Sequence, residues 1–163
     1  MMIRIAENAD ADCIAEIYNH YITQSTATFE ESEVSAIDVR ARLAETFDAG
    51  LPWLVARSDG NVAGYAYASE WNGRCAYRHT AEVTIYLAPD VLQRGIGTRL
   101  YRALFDELRQ RSYHVAIAGI SLPNEASVAL HEKFGMEKVA HFSEVGYKFN
   151  RWIDVGYWQV KLD

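Results

Sequence analysis

Gln93-Arg94-Gly95-Ile96-Gly97-Thr98 is the stretch on which the fold of this chain turns. Before it lies Ala81 to Leu87, a run rich in β-branched residues that reads as a strand. From Gln93 to Arg111 the spacing predicts a helix, with Gly97, Leu100, Tyr101, Leu104, Phe105 and Leu108 on one face. A strand that turns into a helix presents unpaired N–H groups and the positive end of the helix dipole, a ready seat for a pyrophosphate. Gly95 and Gly97 keep Cβ atoms out of the way, while Gln93, Arg94 and Arg99 can add donors. No Lys-Ser/Thr pair follows the glycines and a third glycine is missing, so neither a P-loop nor a dinucleotide fingerprint is present. Taken alone, the six residues also fit a turn that merely caps a helix.

Working outward, Tyr113 to Ser121 is nearly all apolar, as in a strand covered on both faces. Asn124 then caps a shorter helix running through Phe134 and closed by Gly135. Two further strands, roughly Lys138 to Phe149 and Ile153 to Leu162, flank an Asn150-Arg151-Trp152 turn. Upstream, Trp53 to Arg57 and Val62 to Trp71 form a hairpin around Asp59-Gly60-Asn61, followed by a loop over Asn72 to Thr80. Ser35, with Asp38 three residues on, caps a helix carrying Val39, Leu43 and Phe47 inward and ending at Gly50. Asp10 or Asp12 caps the first helix, whose apolar face is Ile14, Ile17, Tyr18, Tyr21 and Ile22; Thr23 to Glu33 reads as a loop, and Ile3 to Ile5 as a first strand. The order β-α-α-β-β-β-α-β-α-β-β implies an α/β (α+β) fold, one mixed sheet flanked by helices, in a single domain over 1–163.

Composition narrows the function. A formal net charge of -6 argues against a broad basic face for nucleic acid or anionic membrane. No run approaches a membrane span, and the N-terminus meets a charge at Arg4, too early for a signal peptide. Cys13 and Cys75 lack CxxC spacing and read as reduced thiols, which points to the cytoplasm. His131-Glu132 does not open an HExxH zinc site, because Gly135 stands where the second histidine would be, so no metal is implied.

The glycine turn resembles the Gln/Arg-x-x-Gly-x-Gly/Ala signature of the GNAT acetyltransferases. The departure is Leu92 at the first position, with Gln93 one residue late. The likeness narrows to the phosphinothricin and methionine sulfoximine acetyltransferases through Ile17-Tyr18-Asn19-His20-Tyr21, Pro52-Trp53-Leu54-Val55-Ala56, Tyr77-Arg78-His79-Thr80-Ala81-Glu82 and Leu130-His131-Glu132-Lys133. Arg151-Trp152-Ile153-Asp154-Val155-Gly156-Tyr157-Trp158 is also similar. The resemblance implies about seven strands and four helices, with strands splayed around acetyl-CoA, and a homodimer.

It further implies that the backbone of Tyr86, Leu87 and Ala88 pairs with the pantetheine arm, that Gln93, Arg94, Gly95, Ile96, Gly97 and Thr98 hold the pyrophosphate, and that Asn124 contacts the cofactor. Alternation puts Glu82, Thr84 and Tyr86 on one strand face. A carboxylate among such neighbours is expensive unless paired or functional; a salt bridge to Arg78 would account for it, and in the family the matching glutamate is the proposed base. His131 stands where many GNAT enzymes carry a tyrosine that protonates the leaving thiolate; a half-buried structural histidine is the other reading. Arg78, His79, Thr80 and Arg151 are candidates for the acceptor, since arginine forks match carboxylate and phosphinate oxygens. The expected reaction is acetylation of the α-amino group of a small amino-acid analogue. Acetylation of a protein N-terminus or polyamine, and a non-catalytic acetyl-CoA sensor, remain alternatives.

Overall fold

The structure, a computed structural model, describes residues 1–91 and 95–163. The chain runs β1 (Met2–Ile5), α1 (Ala11–Gln24), α2 (Ala36–Asp48), β2 (Trp53–Ser58), β3 (Asn61–Glu70), β4 (Thr80–Leu87), α3 (Ile96–Gln110), β5 (Val115–Leu122), α4 (Glu125–Lys133), β6 (Glu137–Lys148) and β7 (Arg151–Lys161). The strands form one seven-stranded sheet in the order β1-β2-β3-β4-β5-β7-β6. Every neighbouring pair is antiparallel except β4 and β5. This is the mixed sheet with four helices that the element order implies.

Alternation along β4 divides the core between the two sheet faces. Ala81 and Val83 pack with Leu100, Tyr101, Leu104, Phe105 and Leu108 of α3. On the other face, Ile14, Ile17, Tyr18 and Ile22 of α1 and Val39 and Leu43 of α2 cover Trp53, Val55 and Tyr65. Ser35 forms the expected capping box with Asp38, and Gly50 closes α2 at φ 73°.

Several local expectations change. Asp10 occupies the N-cap of α1 but gives no cap bond; its buried carboxylate instead accepts from Arg4 at 2.8 and 2.9 Å and from the Glu7 N–H at 2.8 Å. Phe47 stays exposed, because α2 rests on α1 and the edge of β2. The last hairpin turns at Phe149-Asn150, both in the left-handed region, so Arg151 and Trp152 already belong to β7, paired with Lys148 and Tyr147. Two consecutive left-handed residues match the right-handed twist of the flanking strands, which a three-residue turn at 150–152 would not.

Candidate active site

β4 and β5 pair only over Thr80–Glu82 with Val115–Ile117 and then part. The opening exposes one edge of β4. The Ala88 N–H donates to the Ala63 carbonyl at 2.9 Å, and the Ala88 carbonyl accepts from Val91. By antiparallel alternation the peptide groups of Tyr86 face β3, and those of Ile85 and Leu87 face the gap. The Leu87 carbonyl is already bonded by the Tyr21 hydroxyl at 2.5 Å. An added strand would therefore meet Ile85 and the Leu87 N–H, rather than Tyr86 and Ala88. Leu130 and Ala126 of α4 and Ile120 of β5 complete a cleft of about 320 Å³.

At the cleft's outer end Gly95 caps α3 in the left-handed region, at φ 68°. Among the described residues the N–H groups of Ile96, Gly97 and Thr98 precede the first helical bond, from Arg99 N–H to the Gly95 carbonyl at 3.1 Å, and a helix start of this kind can receive an anion. Gln93 and Arg94 lie outside the described residues. Gly97 has a packing reason: a Cβ there would stand 3.3 Å from Leu130 and 3.6 Å from Leu87, so the glycine lets α3 approach both β4 and α4. Lys133, not singled out as a site residue from the sequence, brings its Nζ to 3.2 Å from Thr98 Oγ1. Only the fold places that cation beside the helix start. Asn124 Oδ1 accepts from the Ser127 N–H at 3.1 Å, so it caps α4 while lining the cleft.

His131 lies buried against the same cleft. Its Nδ1 stands 2.6 Å from the Ser127 carbonyl, which can only accept, so Nδ1 carries the hydrogen. Nε2 is then the lone-pair nitrogen and receives the Tyr101 hydroxyl at 2.7 Å. Burial, partly opposed by the bond to Ser127, lowers the pKa of His131 below the ordinary histidine value. Burial also holds the Tyr101 hydroxyl protonated far above the ordinary range. The pair is neutral, with the tyrosine as donor.

Glu82 closes a second cavity of about 380 Å³, lined by Thr26, Ala27, Phe29, Gly119, Ser121, Phe142, Val145, Val155 and Tyr157. Ala27, Gly119 and Ser121 line both spaces, so the two meet along β5. At Gly119 a Cβ would stand 3.0 Å from the Tyr157 ring, so glycine keeps the junction open. Glu82 is half-buried, and among the described residues it makes no salt bridge or side-chain hydrogen bond. Burial raises its pKa above the ordinary carboxylate value.

The Arg78 guanidinium bonds the Cys75 carbonyl at 3.0 Å and makes no salt bridge to Glu82, whose shift has burial as its cause. Arg78, His79, Thr80 and Arg151 do not line the cavity. Arg78 closes a short turn over Cys75–Tyr77, four residues before Glu82, and Arg151 lies exposed beside the Phe149-Asn150 turn. Among the described residues no cluster of three or more His, Cys, Asp or Glu could hold a metal ion, and no helix is long and apolar enough to cross a membrane.

Residues 3–156 match the acetyltransferase (GNAT) domain family. The chain is 39% identical to the L-amino acid N-acyltransferase MnaT of Escherichia coli, over 100% of this chain and 95% of the relative. It is 38% identical to a phosphinothricin N-acetyltransferase of Alcaligenes faecalis, over 99% and 82%. It is 36% identical to the L-methionine sulfoximine/L-methionine sulfone acetyltransferase of Salmonella typhimurium, over 100% and 95%. The solved yncA acetyltransferase of Salmonella typhimurium with acetyl-CoA superposes with a TM-score of 0.96 at 36% identity, over 99% of this chain and 94% of that one.

Proposed function

The chain belongs to the GNAT acetyltransferase family and is an acetyl-CoA-dependent N-acetyltransferase; from that premise we propose that its acceptor is the α-amino group of a small amino-acid analogue of the phosphinothricin, methionine sulfoximine or methionine sulfone type. The observation that carries this reading is Glu82, an unpaired, half-buried carboxylate in a cavity that meets the arm cleft. An α-amine is neutral in about one molecule in ten at pH 7, a cost of about 1.4 kcal/mol. Glu82 takes the surplus proton, directly or through one water. The nitrogen bonds to the acetyl carbon, and the carbon–sulfur bond breaks with its electron pair on sulfur. The sulfur departs as thiolate and then takes, directly or through water, the proton that the acylated nitrogen sheds, so that coenzyme A is released as the thiol. The Leu87 N–H polarises the carbonyl. His131 acts on the sulfur through Tyr101, whose hydroxyl hydrogen turns from Nε2 toward the thiolate as charge develops.

Ile96, Gly97, Thr98 and Lys133 hold the pyrophosphate, with Gly95 setting the turn; Asn124 borders the arm. The acceptor's polar contacts fall to Thr26, Ser121 and Tyr157, in place of Arg78, His79, Thr80 and Arg151. Residues 1–163 act as one domain in the cytoplasm. A homodimer is supported by the edge strand β6, where Val139, Val145 and Tyr147 are exposed beside Phe149 and Trp152; sedimentation as a monomer at micromolar concentration would refute it.

The function is tested with an amine panel read by free-thiol release from acetyl-CoA. Methionine sulfone, methionine sulfoximine and phosphinothricin are expected to lead the panel. Preference for spermidine or for a peptide N-terminus would overturn the substrate reading, and acetyl-CoA binding without transfer to any amine would leave a sensor.

A further inference from the structure

Among the described residues Lys148 is the buried cation that the reaction above does not use. It is only 3% exposed, near the end of β6, and among the described residues no carboxylate forms a salt bridge with it. Its ammonium donates to the carbonyls of Ser25 at 2.7 Å and Thr28 at 2.8 Å. The carbonyls between them are also held from the sheet: Ser121 Oγ donates to Thr26 at 2.6 Å, and the Tyr86 hydroxyl donates to Ala27 at 3.3 Å. Four successive carbonyls of one loop thus each accept from a side chain of β4, β5 or β6.

That loop is half of the acceptor cavity's wall, through Thr26, Ala27 and Phe29. The facing half is β6, whose irregular stretch between Phe142 and Gly146 supplies Phe142 and Val145. Gly146 lies under the Phe29 ring, where a Cβ would collide. A buried ammonium without an ion-pair partner is costly to keep. Here it joins the two walls of the cavity that are not laid down on regular pairing.

We propose that Lys148 is a positioning residue for the acceptor: by tying the β6–β7 hairpin to the 25–28 loop it sets the width of the cavity in which the amine is held. The proposal rests on the reading of that cavity as the acceptor site. Of the residues the arm cleft shares with the cavity, Gly119 and Ser121 belong to β5 and only Ala27 belongs to the tied loop.

The test compares wild type with Lys148→Met and Lys148→Arg, using L-methionine sulfone as amine, calorimetry for acetyl-CoA, thermal melts, and hydrogen exchange of the 25–30 amides. A bond from a charged donor is worth roughly tenfold or more in an equilibrium. Lys148→Met is expected to raise the KM for the sulfone at least about tenfold and to speed exchange in 25–30 by a similar factor. The kcat and the Kd for acetyl-CoA stay within about threefold, Tm does not fall, and Lys148→Arg recovers most of the loss. Unchanged KM, unchanged loop exchange, or parallel loss of amine and acetyl-CoA binding with a lower Tm would each overturn the proposal. If Lys148→Met does not fold, Lys148→Gln shortens and neutralises the donor, and unchanged 25–30 exchange there is the overturning result. Failure of wild type to acetylate the sulfone refutes the substrate assignment instead, while the exchange comparison still decides the clamp.

Discussion

The arm cleft is walled mainly by β4, β5, α3 and α4, with Tyr21 and Ala27 at its border, whereas the cavity proposed for the acceptor is walled by the 25–30 loop and the irregular stretch of β6, with β4, β5 and β7 beneath them. On the proposed reading, backbone does the recognising in the first: strand groups left open where β4 and β5 part, and N–H groups at the start of α3. In the second, side chains do it, mostly aromatic and aliphatic around one carboxylate. A site made of backbone tolerates varied side chains and binds one constant ligand. A site made of loop side chains can change its ligand without changing the fold.

The comparison can be broken most sharply at Glu82, the proposed base. Glu82→Gln should lower kcat/KM by about 10²–10⁴ and leave acetyl-CoA affinity unchanged. Burial raises the carboxyl's pKa, so the base is lost as pH falls through a value above the ordinary carboxylate range; the acid limb of the wild-type profile should lie there and vanish in the variant. By linkage, a raised folded pKa means stability that is present at low pH and lost as pH rises past it. Glu82→Gln should therefore melt no lower than wild type at pH 7. A profile flat across that limb would remove Glu82 from the reaction.

Gly97→Val addresses the opposite side. The new side chain meets Leu130 and Leu87, and the overpacking, about 1–3 kcal/mol, should move α3 and weaken acetyl-CoA binding about tenfold or more, with little change in amine KM once saturated. Equal affinity would mean that the start of α3 is not the anion seat. Tyr101→Phe is milder. Removing a donor that stabilises neutral His131 should raise the imidazole pKa toward its ordinary value, visible in an NMR titration, and lower kcat by about tenfold or less. An unmoved titration would refute the assigned tautomer. The smallest effects are expected from Arg78→Ala and Arg151→Ala: amine KM within about threefold, since a solvated surface charge contributes under about 1 kcal/mol. A larger change would put the acceptor's carboxylate outside the cavity.

Legibility followed the same division. The glycine turn, the Ser35 and Asn124 caps, the β4 alternation that presents Glu82 and the histidine at position 131 are all readable within a few residues of chain. Lys133 beside Thr98, Tyr101 on His131 and Lys148 under the 25–28 loop are 35, 30 and 120 or more residues from their partners. No periodicity reports such pairs. Arg78 and Arg151 are the converse case: a residue type suited to carboxylates, in a similar motif, that is not among the residues lining the cavity.

The amino-acid order by itself determined the element sequence, the two-faced strand carrying Glu82 and the helix start that can hold a diphosphate, because each depends on local sterics and short-period burial. Only the tertiary structure decided which peptide groups of β4 remain open, which nitrogen of His131 carries its hydrogen, and what walls the acceptor cavity. Those are fixed by where distant segments come to rest, and that placement is set by packing of the whole sheet rather than by any one stretch of chain.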